Sequence, residues 1–298
     1  DPASEVDNFS IVILEVNPDH RRIVHCWTTS RSEHKEKLKK GFVSETDFYS
    51  YCARKIRDLM KLFPCIHIAL DAQGGGIAVM ESLHDKDKIQ EGELPIWPTI
   101  DDKKEKDTDG ESGLHILEMC QFAKYDWLSE ANHGLRKDFE DKVLLFPFFD
   151  AVSLDISEHQ DNMKSRMFDT LEECVLDIEE LKDELAMIQM TATTSGRDRW
   201  DTPQVVVGTG KKSKMRKDRY SSLLMANMAA RVLQRTPEQA DYNFYGGFAT
   251  GGHKPKTTDK LYTGWSCKFN SCHARPKHLA DINSDNCPTS LTKSTLKG

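Results

Sequence analysis

The sequence predicts an α/β fold, a mixed sheet flanked by helices, and three observations predict it. Two β-branched runs, residues 9–16 and 22–29, flank the turn Asn17-Pro18-Asp19-His20 and read as a hairpin. The apolar run at residues 66–70, broken only by His67, is too short for a helix; it ends in Asp71 and passes through Gly74-Gly75-Gly76 into a helical start. Phe168, Leu171, Val175, Ile178, Leu181, Leu185 and Ile188 recur at spacings of three and four, an amphipathic helix. An antiparallel pair feeding a parallel-type crossover fits a ribonuclease H-like sheet.

The remaining elements follow in order. Residues 33–40 are charged and their structure is ambiguous. Ser44-x-x-Asp47 resembles a capping box and opens a helix with Phe48, Cys52, Ile56, Leu59 and Phe63 on one face, stopped by Pro64. Residues 84–113 read as a long polar insertion, centred on the charged run at 101–107. A helix spans about residues 127–141, and Val143-Leu144-Leu145-Phe146 makes a short strand before Pro147. Eight acids between Asp169 and Glu184 read as the solvated face of the amphipathic helix. Gln204 to Val207 is a strand, and residues 218–233 are helical. Residues 1–235 thus form one domain. Residues 236–298 form a glycine-rich, polar tail without a core of its own, poorly structured.

Composition narrows the function. The 298 residues carry a net charge of −7, so any nucleic-acid face must come from local clustering. No signal peptide opens the chain and no run approaches a membrane span, so the expectation is a soluble protein, not secreted, without a membrane partner. Eight scattered cysteines suit reduced core thiols. The chain opens on Asp1 without an initiator Met and reads as a fragment. Cys267, Cys272, His273 and His278 lack a short Cys-x2-Cys knuckle, which argues against zinc.

Three acids carry the candidate chemistry. Asp71 alone reads equally well as a helix cap or as a metal ligand beside open backbone, the glycines giving clearance for metals and a DNA backbone. Asp1 precedes the first strand, and Asp218 opens the last helix. Carboxylates converging at one end of a sheet repel one another unless cations lie between them; two Mg²⁺ or Mn²⁺ ions would make a site for phosphodiester hydrolysis. Lys211, Lys212, Lys214, Arg216, Lys217 and Arg219 cluster around Asp218 in this acidic chain, a candidate DNA-backbone contact. Arg197 and Arg199 sit at a hairpin tip that either reaches over DNA or is only a turn. The segment from Val205 to Ser213 mimics a phosphate loop, but a Walker-type loop needs Gly where Val205 stands and Ser or Thr where Lys212 stands.

These residues resemble the nuclease domain of the large terminase subunit of tailed bacteriophages. The likeness rests on Asp1-Pro2-Ala3 to Asp7, Asp71 to Gly76, and Lys217-Asp218-Arg219, with weaker similarity at Leu114-His115-Ile116-Leu117, Trp127, Ala131-Asn132, Leu144 to Pro147 and Gly196 to Asp201. It implies a metal-dependent endonuclease that cuts concatemeric viral duplex DNA during packaging, with Asp1, Asp71 and Asp218 as ligands of two Mg²⁺ or Mn²⁺ ions. It implies the portal and the small terminase subunit as partners, oligomerisation only in the assembled motor, and the cytoplasm of an infected bacterial host. The resemblance implies an ATPase domain upstream, which is expected to be absent from this chain. A third short antiparallel strand is implied after the hairpin, though none stands out between Thr29 and Lys40. Two other readings stay open: a junction-resolvase type of ribonuclease H-like nuclease, and a non-catalytic DNA-holding or docking module.

Overall fold

The computed structural model describes residues 8–99, 112–150, 152, 154–156, 170–194, 196–207 and 211–235. Within them the fold is mixed α/β. Strands β1 (Phe9–Val16) and β2 (Arg21–Thr29) pair antiparallel around a turn closed by Asn17 N donating to His20 O at 2.8 Å. A register shift at Ile13/Leu14 bends the ladder. Strand alternation sends Phe9 and Ile11 into one apolar cluster and Val12 and Leu14 into another, so the hairpin is covered on both faces.

The segment after β2 is a helix, α1 (Arg31–Lys39), and not a third strand. Ser30 Oγ accepts from Glu33 N and starts it, and its Glu and Lys residues are good helix formers. The edge position beside β2 goes instead to the two-residue strand β6 (Leu144–Leu145), which pairs parallel. In α2 (Phe48–Leu62) the cap is Asp47, accepting from Ser50 N at 2.8 Å; the expected Ser44 box is not the start. Its apolar face is buried as expected, at Phe48, Cys52, Ile56 and Leu59.

The second sheet is β3 (Ile68–Asp71), β5 (Leu114–Cys120) and β4 (Ile96–Pro98), all parallel, with β5 in the middle. Helix α3 (Gly76–His84) follows β3. The expected polar insertion therefore carries structure: a helical turn at Lys86–Lys88, and β4, whose Ile96 is buried while Trp97 stacks on His84 with ring centroids 4.2 Å apart.

Glu93 fastens this insertion to α2. Burial alone would raise the Glu93 pKa, but hydrogen bonds from Arg54, the Gln90 amide and Lys61 pull it down to about 2. A depressed acid contributes stability that is complete above its unfolded pKa and is lost as pH falls through the folded value. Glu93→Gln is expected to flatten the loss of stability between about pH 4.5 and 2, read by urea denaturation over a pH series. A variant whose pH profile overlays the parent's would rule this fastening out.

Helices α4 (Tyr125–Glu140), α5 (Leu171–Met187) and α6 (Asp218–Arg235) cover the face opposite α2 and α3, around Ile23, Cys26, Ile178, Leu181, Leu223 and Leu224. Thr170 and Glu173 form a reciprocal capping box at the start of α5. Two hairpins precede α6: β7 (Gln189–Ala192) with β8 (Asp198–Asp201), and β9 (Gln204–Val207) with β10 (Lys211–Lys214). The two flanks of the Walker mimic, Gln204–Val207 and Lys211–Lys214, thus pair antiparallel, and residues 208–210 lie outside the described residues. The five cysteines among the described residues are free thiols, and no described helix is long and apolar enough to cross a membrane. The tail with Cys267, Cys272, His273 and His278 lies outside the described residues.

Candidate functional site

Asp71 closes β3 at its carboxyl end. It lies opposite Cys120 of β5, and the ladder continues one residue further, with Ala72 N donating to Cys120 O at 2.8 Å. The Asp71 carboxylate accepts from Gln73 N at 3.0 Å, an Asx turn that starts the glycine hinge. It is not the cap of α3: Gly75 holds that position, with no side-chain bond. Burial raises the Asp71 pKa against the opposing Gln73 amide, so the charged form is uncomfortable without a cation nearby. Burial, then Glu118 and Asp71 nearby, push the Cys120 thiol up to about 12. A protonated thiol is no ligand for a hard cation.

Two glycines of the hinge have assigned work. Gly74 has φ +60°, the left-handed region. A Cβ on Gly75 would lie 2.0 Å from the Tyr49 ring. The space expected as clearance for DNA at Gly75 is therefore occupied by Tyr49 of α2.

Asp218 is the first residue of α6, and its Oδ2 accepts from Asn8 N at 3.1 Å, at the lip of β1. Ser222 Oγ donates to Ser10 O at 2.9 Å and Gln234 Nε2 to Asn17 O at 2.6 Å, so α6 lies along β1 in the same direction. Helix α6 also packs on β3. Asp1 lies outside the described residues, and among those described no group of three His, Cys, Asp or Glu side chains forms a metal cage. Of the three expected ligands, Asp71 and Asp218 lie among the described residues. Their carboxylate oxygens are the hard donors that Mg²⁺ and Mn²⁺ take.

The basic residues divide by environment. Arg216 Nη1 donates to Asn8 Oδ1 at 2.7 Å, beside the Asp218 contact. Lys217 donates to Trp200 O and lies 3.3 Å from Asp201. Arg197 stacks over the Tyr125 ring, 5.0 Å from its centroid, and Arg199 pairs with Asp201 at 2.9 Å. Lys211, Lys212 and Lys214 lie on β10.

Arg219 differs from its neighbours because it is turned inward. Its guanidinium meets Asp177 at 2.7 Å, Glu184 at 3.1 Å and Glu180. Glu184 Oε2 also accepts from Tyr220 N at 2.8 Å, and Asp177 Oδ2 accepts from Thr28 N at 3.1 Å. Burial raises the Glu184 pKa, opposed by the Tyr220 amide and Arg219. Asp177 and Glu184 therefore clasp the start of α6 and fix Asp218, where the sequence had suggested a solvated acidic face. The signal was present in the spacing: Cys174, Ile178, Leu181 and Glu184 form one buried stripe.

No family model, curated protein or solved structure matches this chain. Assignment of a role therefore rests on the residues themselves.

The clasp gives a direct test of the Arg219 role. Arg219→Ala strands two largely buried carboxylates and is expected to lower stability by about 3–5 kcal/mol in urea denaturation. Unchanged stability would return Arg219 to the set of DNA contacts.

Proposed function

We propose that this chain is a metal-dependent endonuclease of the terminase type, built on a ribonuclease H-like sheet and cutting concatemeric viral duplex DNA. The observation that carries the reading is the bond from Asn8 N to Asp218, which spans 210 positions of sequence. It sets the acid that opens α6 at the lip of β1, while the same helix packs on β3, the strand that Asp71 ends. The antiparallel hairpin, the parallel β3–β5 pair and helices on both faces suit such a sheet.

Asp71 and Asp218 would hold the ions, with Asp1 as the third ligand. Divalent ions bound there supply an activated water and stabilise the leaving 3′-oxygen. The protein's own groups have separate tasks. The Gln73 amide orients the Asp71 carboxylate, the Asn8 amide orients that of Asp218, and the Asp177–Arg219–Glu184 clasp holds the helix start. Arg216, Lys217 and the β10 lysines offer charge to the DNA backbone beside Asp218. The portal and small terminase subunit are the proposed partners, and the infected host's cytoplasm the proposed setting.

The test is supercoiled plasmid incubated with Mg²⁺ or Mn²⁺. Nicking that a chelator stops supports the reading. DNA binding with no nicking at saturating metal would replace it with a DNA-holding module.

A further inference from the structure

A basic helix with exposed lysines, α1, lies outside the residues assigned above. Between Arg31 and Lys40 there are five basic residues and two acids, in a chain whose net charge is −7. Lys35, Lys39 and Lys40 are exposed. Elsewhere, several surface cations are neutralised locally: Arg136 by Glu140, Lys137 by Asp141, Lys182 by Glu179 and Lys88 by Asp85. Among the described residues, none of the five cations between Arg31 and Lys40 has a carboxylate partner. One of the two acids, Glu33, is engaged at the helix start, with its amide on Ser30 and its carboxylate on Thr29.

The position of α1 gives this charge a direction. Its first residue, Arg31, lies over the Phe48 and Tyr49 rings, 4.9 and 4.8 Å from their centroids. Tyr49 in turn occupies the space at Gly75, in the turn that follows Asp71. The strand leading into α1 ends at Thr29, which pairs with Phe9, next to the Asn8 amide that binds Asp218. One end of α1 thus abuts both acids' neighbourhoods, and the helix carries its lysines away from them. Arg31, Lys35 and Lys39 are each one turn apart, a stripe about 12 Å long. At roughly 3.4 Å of duplex axis per phosphate on one strand, that length meets three or four phosphates. The helix has no spare apolar face for a lipid surface. His34 is buried, stacked on Tyr51 with centroids 4.9 Å apart, and bonds to Glu45 O.

We propose that α1 is a second backbone-binding track for duplex DNA, leading away from the Asp71–Gly75 turn, with Lys35, Lys39 and Lys40 as phosphate contacts and Arg31 nearest the turn. The choice of duplex DNA rests on the nuclease reading; the exposed and unpaired charge does not.

The experiment is fluorescence anisotropy of a labelled duplex with the full chain in EDTA, across a salt series. Replacing Lys35, Lys39 and Lys40 together by Gln is expected to lower the slope of log affinity against log salt by roughly 2–3. Near 0.1 M salt the affinity loss is on the order of a hundredfold. A control with Lys86, Lys137 and Lys142 replaced by Gln keeps both values. All of these lysines are exposed, so the fold is not at stake. A triple variant with the parent's slope and affinity overturns the α1 track, and plasmid nicking by that variant would leave the nuclease reading standing. Dependence of binding on α1 without nicking in Mn²⁺ does the reverse. No binding by the parent at low salt overturns both. Capture of anionic vesicles that the triple variant abolishes, with DNA binding untouched, overturns the choice of partner.

Discussion

Asp71→Asn is expected to lower metal-dependent plasmid nicking by at least about a hundredfold while leaving the fold intact. The substitution is nearly isosteric and keeps an oxygen to accept from Gln73 N, so the hinge retains its first bond. It removes a charge that burial disfavours. The sign matters here: an acid whose folded pKa is raised is less stable ionised in the folded chain than in the unfolded one. At neutral pH and without metal, the variant should therefore melt at the parent's temperature or slightly above. Lost nicking combined with unchanged or higher melting temperature separates a ligand from a structural acid. Equal nicking by parent and variant would remove Asp71 from the site.

Asp138→Ala should destabilise the fold as strongly as the loss of Arg219. Arg21, almost fully buried, donates to Asn227 Oδ1 at 2.7 Å and pairs with Asp138 at 2.9 Å. Asn227 Nδ2 returns a bond to Asp138 at 2.8 Å, and Arg231 pairs with the same carboxylate at 2.6 Å. Burial opposes the charge on Asp138, but Arg231, Asn227 and Arg21 together hold its pKa below the ordinary value. This one carboxylate balances two guanidiniums and joins β2, α4 and α6. Its removal leaves both without a counter-ion, a loss of about 3–5 kcal/mol. Urea denaturation measures it; a loss below about 1 kcal/mol would show that water already screens the pair.

Much of the backbone plan could be read from local pattern. The hairpin, the buried face of α2, the β3 strand ending in Asp71 and the long helix α5 all follow from periodicity, which reports how a segment meets its immediate surroundings. What local pattern left open or missed depended largely on distant partners, the Ser30 cap excepted. Residues 31–40 became a helix because Ser30 caps it, and the β2 edge was left to Leu144–Leu145, more than a hundred residues away. Within the expected loop, Ile96–Pro98 is a strand because β5, Leu114–Cys120, stands beside it. Asp177 looks solvated until Arg219 and the Thr28 amide are seen against it, whereas Glu184 shares the spacing of the buried stripe. Of the candidate site, Asp71 at a strand end and Asp218 at a helix start were legible. The inward turn of Arg219 and the occupation of Gly75 by Tyr49 were not, since neither leaves a trace in spacing.

Among the described residues, β1 and β3 belong to separate hydrogen-bonded sheets, and α6 packs on both. A backbone ladder would fix neighbouring strands at one spacing, close to 4.8 Å. Here the separation between the two halves is set by the girth of side chains under a helix, and it can be adjusted in small steps. Repacking of the side chains that α6 sets against β3 becomes a dial on the distance between the strand that ends in Asp71 and the lip that holds Asp218. The geometry of the site is thereby exposed to tuning by residues that never approach a substrate.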